Sequence, residues 1–245
     1  MNPRGGILRA FGYINNARMI RRRTGHETDL LRLVYCFVPW WRSFHDKDIL
    51  SLHSLPWLTY PAVLFLKETV RPDWKVFEFG SGASTMFFGS RCREVNSIEH
   101  DISWAERVGA ALRSEGLSNC RLRYVPPAVG LARAGAYDSA FPGYEQSDFE
   151  KYVRSIDEQP DESLDLVLVD GRSREASLMH AVPKVRTGGM LILDNTERPR
   201  YQQAIVKVPK TWKRLVFPGP CAATEFFTET TIWIAGALSD DATPE

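Results

Sequence analysis

Four groups of residues in this 245-residue chain have types and spacing that could do chemistry. The first is Glu78-Phe79-Gly80-Ser81-Gly82-Ala83-Ser84-Thr85, where Gly80 and Gly82 would let the backbone turn tightly and approach a ligand closely. The second is Glu99, 21 positions after Glu78. An acid there can accept hydrogen bonds from both hydroxyls of a ribose. The third is Asp170-Gly171-Arg172 and the fourth is Asp194-Asn195-Thr196. Two carboxylates and an amide oxygen are hard donors that suit Mg²⁺ or another divalent cation. Such an ion would hold a hydroxylated acceptor and lower the pKa of its oxygen.

These groups need elements to place them. Lys75 to Phe79 reads as a strand running into the glycine turn, and Ser84 to Cys92 as the helix after it. Glu94 to Glu99 is a second strand, Ile102 to Ser114 a helix, and Arg121 to Val125 a third strand. A long loop rich in Pro and Gly follows, then a helix over Asp148 to Asp157. Leu164 to Val169 is an apolar run, as expected of a strand buried on both faces. Arg174 to Val185 is a helix shortened by Pro183, Met190 to Leu193 a fifth strand, and Leu215 to Phe217 and Thr231 to Ala235 two late strands. This alternation predicts βαβ units in a doubly wound, Rossmann-like α/β sheet. Glu78, Glu99, Asp170 and Asp194 then all stand at the carboxyl ends of strands, beside the topological switch point.

The ligand at the glycine turn follows from charge. A dinucleotide fingerprint needs a third glycine where Thr85 stands. Glu78, just before the loop, would repel a pyrophosphate but suits a cation such as a sulfonium or an amino group. Together the Glu-x-Gly-x-Gly-x-Ser turn, the acid closing the next strand and Val169-Asp170-Gly171 resemble class I S-adenosylmethionine-dependent methyltransferases over roughly residues 55 to 236. The resemblance implies a seven-stranded sheet with an antiparallel last strand. It implies that Gly80, Ser81 and Gly82 line the methionine and ribose part, with Glu99 on the ribose and His100 and Asp101 near the adenine. Glu78, Ser84 and Asp170 complete the expected cofactor set. The segment Tyr124-Val125-Pro126-Pro127-Ala128 departs from the family, because it lacks a polar side chain for the adenine amine. Trp104 reads as packing the second helix on the sheet.

The third and fourth groups resemble cation-dependent O-methyltransferases of the catechol and caffeoyl-CoA type. That likeness makes Asp170, Asp194 and Asn195 metal ligands, with Asp170 and Asp194 as the catalytic pair. Those relatives carry a lysine soon after the first Asp, whereas this chain has Arg172, Ser173 and Arg174. Arginine stays protonated and is no general base. Arg172 or Arg174 would instead clamp an anionic acceptor. Without a metal, catalysis would rest on alignment, with Asp170 or His100 as base. The plainer alternatives are an Asp170 that caps a helix and an Asp194-Asn195 turn.

Composition bounds the rest. Hydrophobic content of 44% and charged content of 25% fit an ordinary globular chain. A net charge of +1 gives no reason to expect a nucleic-acid partner. Cys36, Cys92, Cys120 and Cys221 form no Cys-x-x-Cys pair, so reduced, buried thiols are expected. No apolar run is long enough to span a membrane, and a cytoplasmic location is expected. Arg4, Arg9, Arg18, Arg21, Arg22 and Arg23 precede the first acid, Glu27. They read as a solvated first helix; contact with an anionic membrane and a transit peptide are alternatives. Residues 28 to 70 are aromatic and apolar and read as two or three helices with turns near Pro39 and Pro56, either roofing the site or filling the core. The expected division is a basic arm and helical extension over 1–70, a methyltransferase domain over 71–238 and a polar tail over 239–245. The expected activity is methyl transfer to oxygen on a small or glycan-like acceptor. An NAD-dependent oxidoreductase, a silent nucleoside-binding module and an aminopropyltransferase of the same fold are the rivals.

Overall fold

The computed structural model describes residues 3–27, 29–45, 50, 55–130, 137–139 and 141–236, with the backbone alone for 3–8. The tail expected over 239–245 lies outside them. The chain opens with α1 (Pro3–Thr24), α2 (Leu30–Ser43) and α3 (Tyr60–Thr69). There follow β1 (Lys75–Phe79), α4 (Ala83–Gly89), β2 (Glu94–Glu99), α5 (Ile102–Ser114) and β3 (Cys120–Tyr124). A small pair, β4 (Ala128–Val129) and β5 (Ser147–Asp148), precedes α6 (Glu150–Arg154), β6 (Leu164–Val169), α7 (Arg174–Ala181) and β7 (Val185–Asp194). Last come α8 (Gln202–Ile205), β8 (Lys213–Gly219) and β9 (Thr228–Ile234).

Seven strands form one sheet in the order β3-β2-β1-β6-β7-β9-β8. β1, β2, β3, β6 and β7 pair in parallel, and β9 runs antiparallel to both β7 and β8. The expected doubly wound sheet with its antiparallel last strand is what forms. The period of two sorts the side chains between its faces. Phe77, Phe79, Val167, Val169, Leu191 and Leu193 pack with Phe149, Tyr152 and Leu178 on one side. Val76, Leu166, Leu168, Ile192 and Ile232 pack on the other, against Ala62, Val63 and Leu66 of α3 and Phe87 and Phe88 of α4. Both faces are covered, so β6 is buried along almost its whole length. Between β1 and β6 the chain winds off in opposite directions, which opens a crevice at their carboxyl ends.

Several boundaries move. β7 begins at Val185, five residues before Met190, because Leu164 already pairs with Val185 before a register shift. As expected, Pro183 ends α7 early, and Val182–Lys184 continues as a 3₁₀ turn. The turn expected near Pro39 does not form, because Pro39 lies inside α2. A proline there removes one helical N–H. Burial of Cys36 and Trp40 in a cluster with Tyr13, Ile20, Tyr60 and Phe227 holds the helix regardless. Trp40 Nε1 also donates to Thr224 O at 2.7 Å, tying α2 to the β8–β9 loop.

The basic arm is a helix fastened at intervals. Arg9 meets Glu225 at 3.6 Å, Arg23 meets Glu197 at 3.8 Å, and His26 Nδ1 lies 2.7 Å from Glu229. Arg18 and Arg22 are exposed. On α2, Leu30, Leu31, Val34, Tyr35 and Val38 face solvent. Cys36, Cys92 and Cys221 are buried, Cys120 is half-buried, and none is in a disulfide. No helix among the described residues is long and apolar enough to cross a membrane.

Candidate cofactor and acceptor site

The turn after β1 is held from below. Glu78 points into the layer between β1 and α4, and only 1% of it is exposed. Its carboxylate accepts from Ser84 Oγ, from Thr85 Oγ1 at 2.6 Å and from Ser97 Oγ at 2.6 Å. Burial pushes its pKa up to about 7 against the pull of those three hydroxyls. Thr85 Oγ1 also accepts from Gly82 N at 2.9 Å. The residue that replaces a third glycine therefore pins the turn. Gly80 has φ +96°, and a Cβ there would sit 3.3 Å from Gly171. Gly82 has φ +153°, and a Cβ there would meet Trp104 at 3.4 Å. The positive φ favours glycine at both positions, and at Gly80 a side chain would also crowd Gly171.

Beyond the turn lies a cavity of about 660 Å³ at the carboxyl ends of β1, β2, β6 and β7, a volume typical of a small-molecule site. Of the expected residues, Gly80, Ser81, Ser84, Glu99, His100, Asp101, Asp170, Asp194 and Asn195 line it. Glu78 and Gly82 do not: the first lies beneath the floor, the second under Trp104. Glu99 Oε1 accepts from the amides of His100 at 2.7 Å and Asp101 at 3.0 Å, and Oε2 from Ser81 Oγ at 3.0 Å. Burial works to raise the Glu99 pKa, but the close His100 ring and these amides bring it below the ordinary value. Oε2 thus keeps acceptor capacity toward the cavity. Arg172 Nε donates to His100 Nε2 at 3.2 Å, which leaves the ring proton on Nδ1. That Nδ1 stands 2.7 Å from Glu99 Oε1 but is poorly aligned for a hydrogen bond.

Sequence reasoning missed part of the wall. Trp104 does not simply pack α5 on the sheet. Its Nε1 donates to Ser81 O at 2.8 Å and its ring lines the cavity. Trp57 comes from the N-terminal extension and stands 6.5 Å from Trp104, so that extension does help roof the site. Phe141 and Tyr144 come from the long loop, Ala222 and Thr224 from the β8–β9 connection, and Thr228 from the start of β9. Thr228 Oγ1 is buried there with no hydrogen-bond partner among the described residues. Nothing in the spacing marked these residues, since each arrives from a different part of the chain. Residues 125–128 do not line the cavity.

The expected metal ligands hold a guanidinium instead. Arg174, at the start of α7, meets Asp170 Oδ1 at 2.7 Å and Asp194 Oδ2 at 4.0 Å. It also donates to the carbonyls of Asp170 at 2.8 Å, Gly171 at 3.0 Å and Asp194 at 2.8 Å, and to Asn195 Oδ1 at 3.3 Å. Among the described residues no three His, Cys, Asp or Glu side chains form a group able to hold a metal ion. The donor set does not fit Mg²⁺, because a permanent cation already fills its centre. Burial raises the Asp170 pKa, with Arg174 opposing it. Burial and the Asp170 charge push Asp194 up to about 8. Asp170 keeps 27% of its side chain exposed, whereas Asp194 keeps 4% and accepts from Thr230 Oγ1 at 2.6 Å.

Comparison with solved structures bears on the fold. A protein assigned as an O-methyltransferase from Klebsiella pneumoniae aligns at TM-score 0.51 and 14% identity, over 92% of this chain and 90% of that one. A protein assigned as a methyltransferase from Streptococcus mutans, in complex with SAH, aligns at TM-score 0.50 and 10% identity, over 72% and 98%. The chain has the class I methyltransferase fold. An rRNA methylase from Streptococcus thermophilus aligns at TM-score 0.49 and 10% identity, over 71% and 96%. No protein-family model and no curated protein matches this sequence. A methyltransferase fold sets no limit on the acceptor, so the expectation that nucleic acid is not a partner has no support from it.

Proposed function

We propose that the protein catalyses S-adenosylmethionine-dependent methyl transfer to an oxygen of a small or glycan-like acceptor. The observation that carries this reading is the junction of the Gly80–Gly82 turn, the Glu99 carboxylate and Asp170 at one cavity. Gly80, Ser81, Ser84, Glu99, His100 and Asp101 would hold the cofactor, with Trp104 as a wall and Glu78 fixing the turn from below. S-adenosylmethionine supplies an electrophilic methyl group on a sulfonium. The protein's own task is then alignment and proton handling. Asp170 is the carboxylate open to the cavity, and we assign it as the base that takes the acceptor's proton. Its raised pKa suits that role, and Arg174 holds it in place. Asp194 is a positioning residue acting through Arg174, in place of the metal-ligand role expected from the sequence.

The test is isothermal titration of the full chain with S-adenosylmethionine, S-adenosylhomocysteine and NAD, beside Glu99→Ala. Binding of both sulfur ligands that weakens by roughly 10- to 100-fold in Glu99→Ala is the expected result. Binding of NAD alone overturns the reading. With an acceptor in hand, Asp170→Asn should lower kcat by roughly 10²- to 10⁴-fold and leave S-adenosylhomocysteine affinity near that of the wild type. A silent nucleoside-binding module would show no turnover to lose.

A further inference from the structure

The two arginines after β6 have different fates. Arg174 is fully engaged by Asp170, Asp194 and Asn195. Arg172 is half-buried and has no carboxylate within 4.0 Å among the described residues. Its Cζ lies 3.8 Å from the centre of the Phe141 ring and 5.3 Å from that of Tyr144, so two aromatic rings of the loop hold the guanidinium in place. Its Nε is used on His100, and among the described residues no hydrogen bond occupies its terminal nitrogens. Beside it, a recess of about 90 Å³ opens between the β6–α7 connection and the segment after β7. Phe141, Arg172 and Arg198 line both this recess and the main cavity, so the two spaces adjoin. Arg200 lines the recess as well and, among the described residues, its side chain hydrogen-bonds only Tyr201 Oη, at 2.7 Å. Arg198 approaches Glu197 at 3.8 Å. Asp138 and Glu175 also line the recess, and neither comes within 4.0 Å of an arginine among the described residues.

Arg172, Arg198 and Arg200 line the recess with Asp138 and Glu175, while Arg174 is held by Asp170 and Asp194. A half-buried guanidinium without a counter-ion has lost water and gained no charge partner, which is costly unless a ligand supplies one. A planar fork of free N–H groups matches the oxygens of a carboxylate or a phosphate.

We propose that Arg172, with Arg198 and Arg200, forms an acceptor subsite that seats a carboxylate or phosphate group while the nucleophilic oxygen reaches Asp170. This rests on the methyl-transfer reading for the identity of the acceptor, but the anion site itself can be tested alone. The subsite selects acidic acceptors and sets their orientation.

The experiment titrates the full chain, with and without S-adenosylhomocysteine, using inorganic phosphate, acetate and neutral glycerol at constant ionic strength. Arg172→Gln and Arg172→Lys are compared with Arg22→Gln, a remote exposed arginine on α1. Wild type and Arg22→Gln should bind phosphate or acetate and ignore glycerol. Arg172→Gln should weaken anion binding by roughly tenfold or more, the cost of one charge-assisted contact, with Arg172→Lys between. The stronger of the two anions identifies which group the acceptor carries. Anion binding that is absent in the wild type, or equal in Arg172→Gln, overturns the proposal. Near-wild-type circular dichroism and S-adenosylhomocysteine affinity in Arg172→Gln exclude simple misfolding. If S-adenosylhomocysteine fails to bind while the Arg172-dependent anion site persists, the methyl-transfer reading fails and the subsite stands. The reverse pattern removes the subsite and leaves that reading intact.

Discussion

Replacing Arg174 by Met removes the cation from between Asp170 and Asp194 while keeping most of the side-chain volume. The guanidinium contacts one carboxylate at 2.7 Å, the other at 4.0 Å, and three backbone carbonyls between 2.8 and 3.0 Å. Removing one partner of a buried ion pair costs about 3–5 kcal/mol, because the remaining charge is uncompensated. For a chain of this length each kcal/mol shifts Tm by roughly 2–4 °C, so a fall of about 6–20 °C is expected. The effect must depend on pH. Both acids already have pKa values above the ordinary range, Asp194 at about 8. Without Arg174 they rise further. An acid with a raised folded-state pKa carries no penalty where it is protonated in both states. The penalty grows as pH rises between the unfolded and the folded value. The loss in Arg174→Met should therefore be larger at pH 8 than at pH 5. Adding Asp194→Asn to Arg174→Met should recover part of it. Differential scanning calorimetry at the two pH values, with Mg²⁺ and with EDTA, reads all of this. A fall in Tm below about 2 °C would refute the argument. So would wild-type stability that rises with Mg²⁺ and drops with EDTA, since the carboxylates would then be serving a metal.

Other consequences can be checked in the same way. In Glu99→Ala, S-adenosylhomocysteine affinity should fall by roughly 10- to 100-fold by calorimetry, the worth of a hydrogen bond to a charged group; an unchanged affinity would mean the ribose lies elsewhere. Gly171→Ala places a methyl group on the Tyr152 hydroxyl and within 2.9 Å of Gly80 N, so chemical denaturation should show a loss of about 2 kcal/mol or more; wild-type stability in this variant would contradict the packing. Glu78 has a folded-state pKa of about 7, above its ordinary value, so its contribution lowers wild-type stability as pH rises from about 4.5 to 7. Denaturation midpoints of Glu78→Gln at pH 5 and pH 8 should lack that part of the slope; a slope identical to wild type would place the titration on another group.

Some of this molecule was legible in the residues because the physics involved is local. Periodicity and strand-ending glycines gave the alternation, since a strand buried on both faces has to be largely apolar, as Leu164–Val169 is apart from Asp165. Gly80, Gly82 and Glu99 could be placed because a tight turn and the next strand end are neighbours whatever surrounds them. Charge was legible too: Glu78 argues against a pyrophosphate from its place in the sequence, although its oxygens face Ser84, Thr85 and Ser97. Other features depended on which distant segments meet. Pro39 sits within a helix because Trp40 and Cys36 are buried against α1 and the β8–β9 loop. Trp104 and Trp57 became cavity walls only when α5 and the N-terminal extension came together over Ser81. Asp170, Asp194 and Asn195 look like a metal site when read along the chain, since their types and strand-end positions are right. Whether they hold a divalent ion depends on what occupies the space between them. Here Arg174 leaves the first turn of α7 toward them and its guanidinium takes that space, while Arg172, two residues earlier, faces the cavity with no carboxylate within 4.0 Å among the described residues.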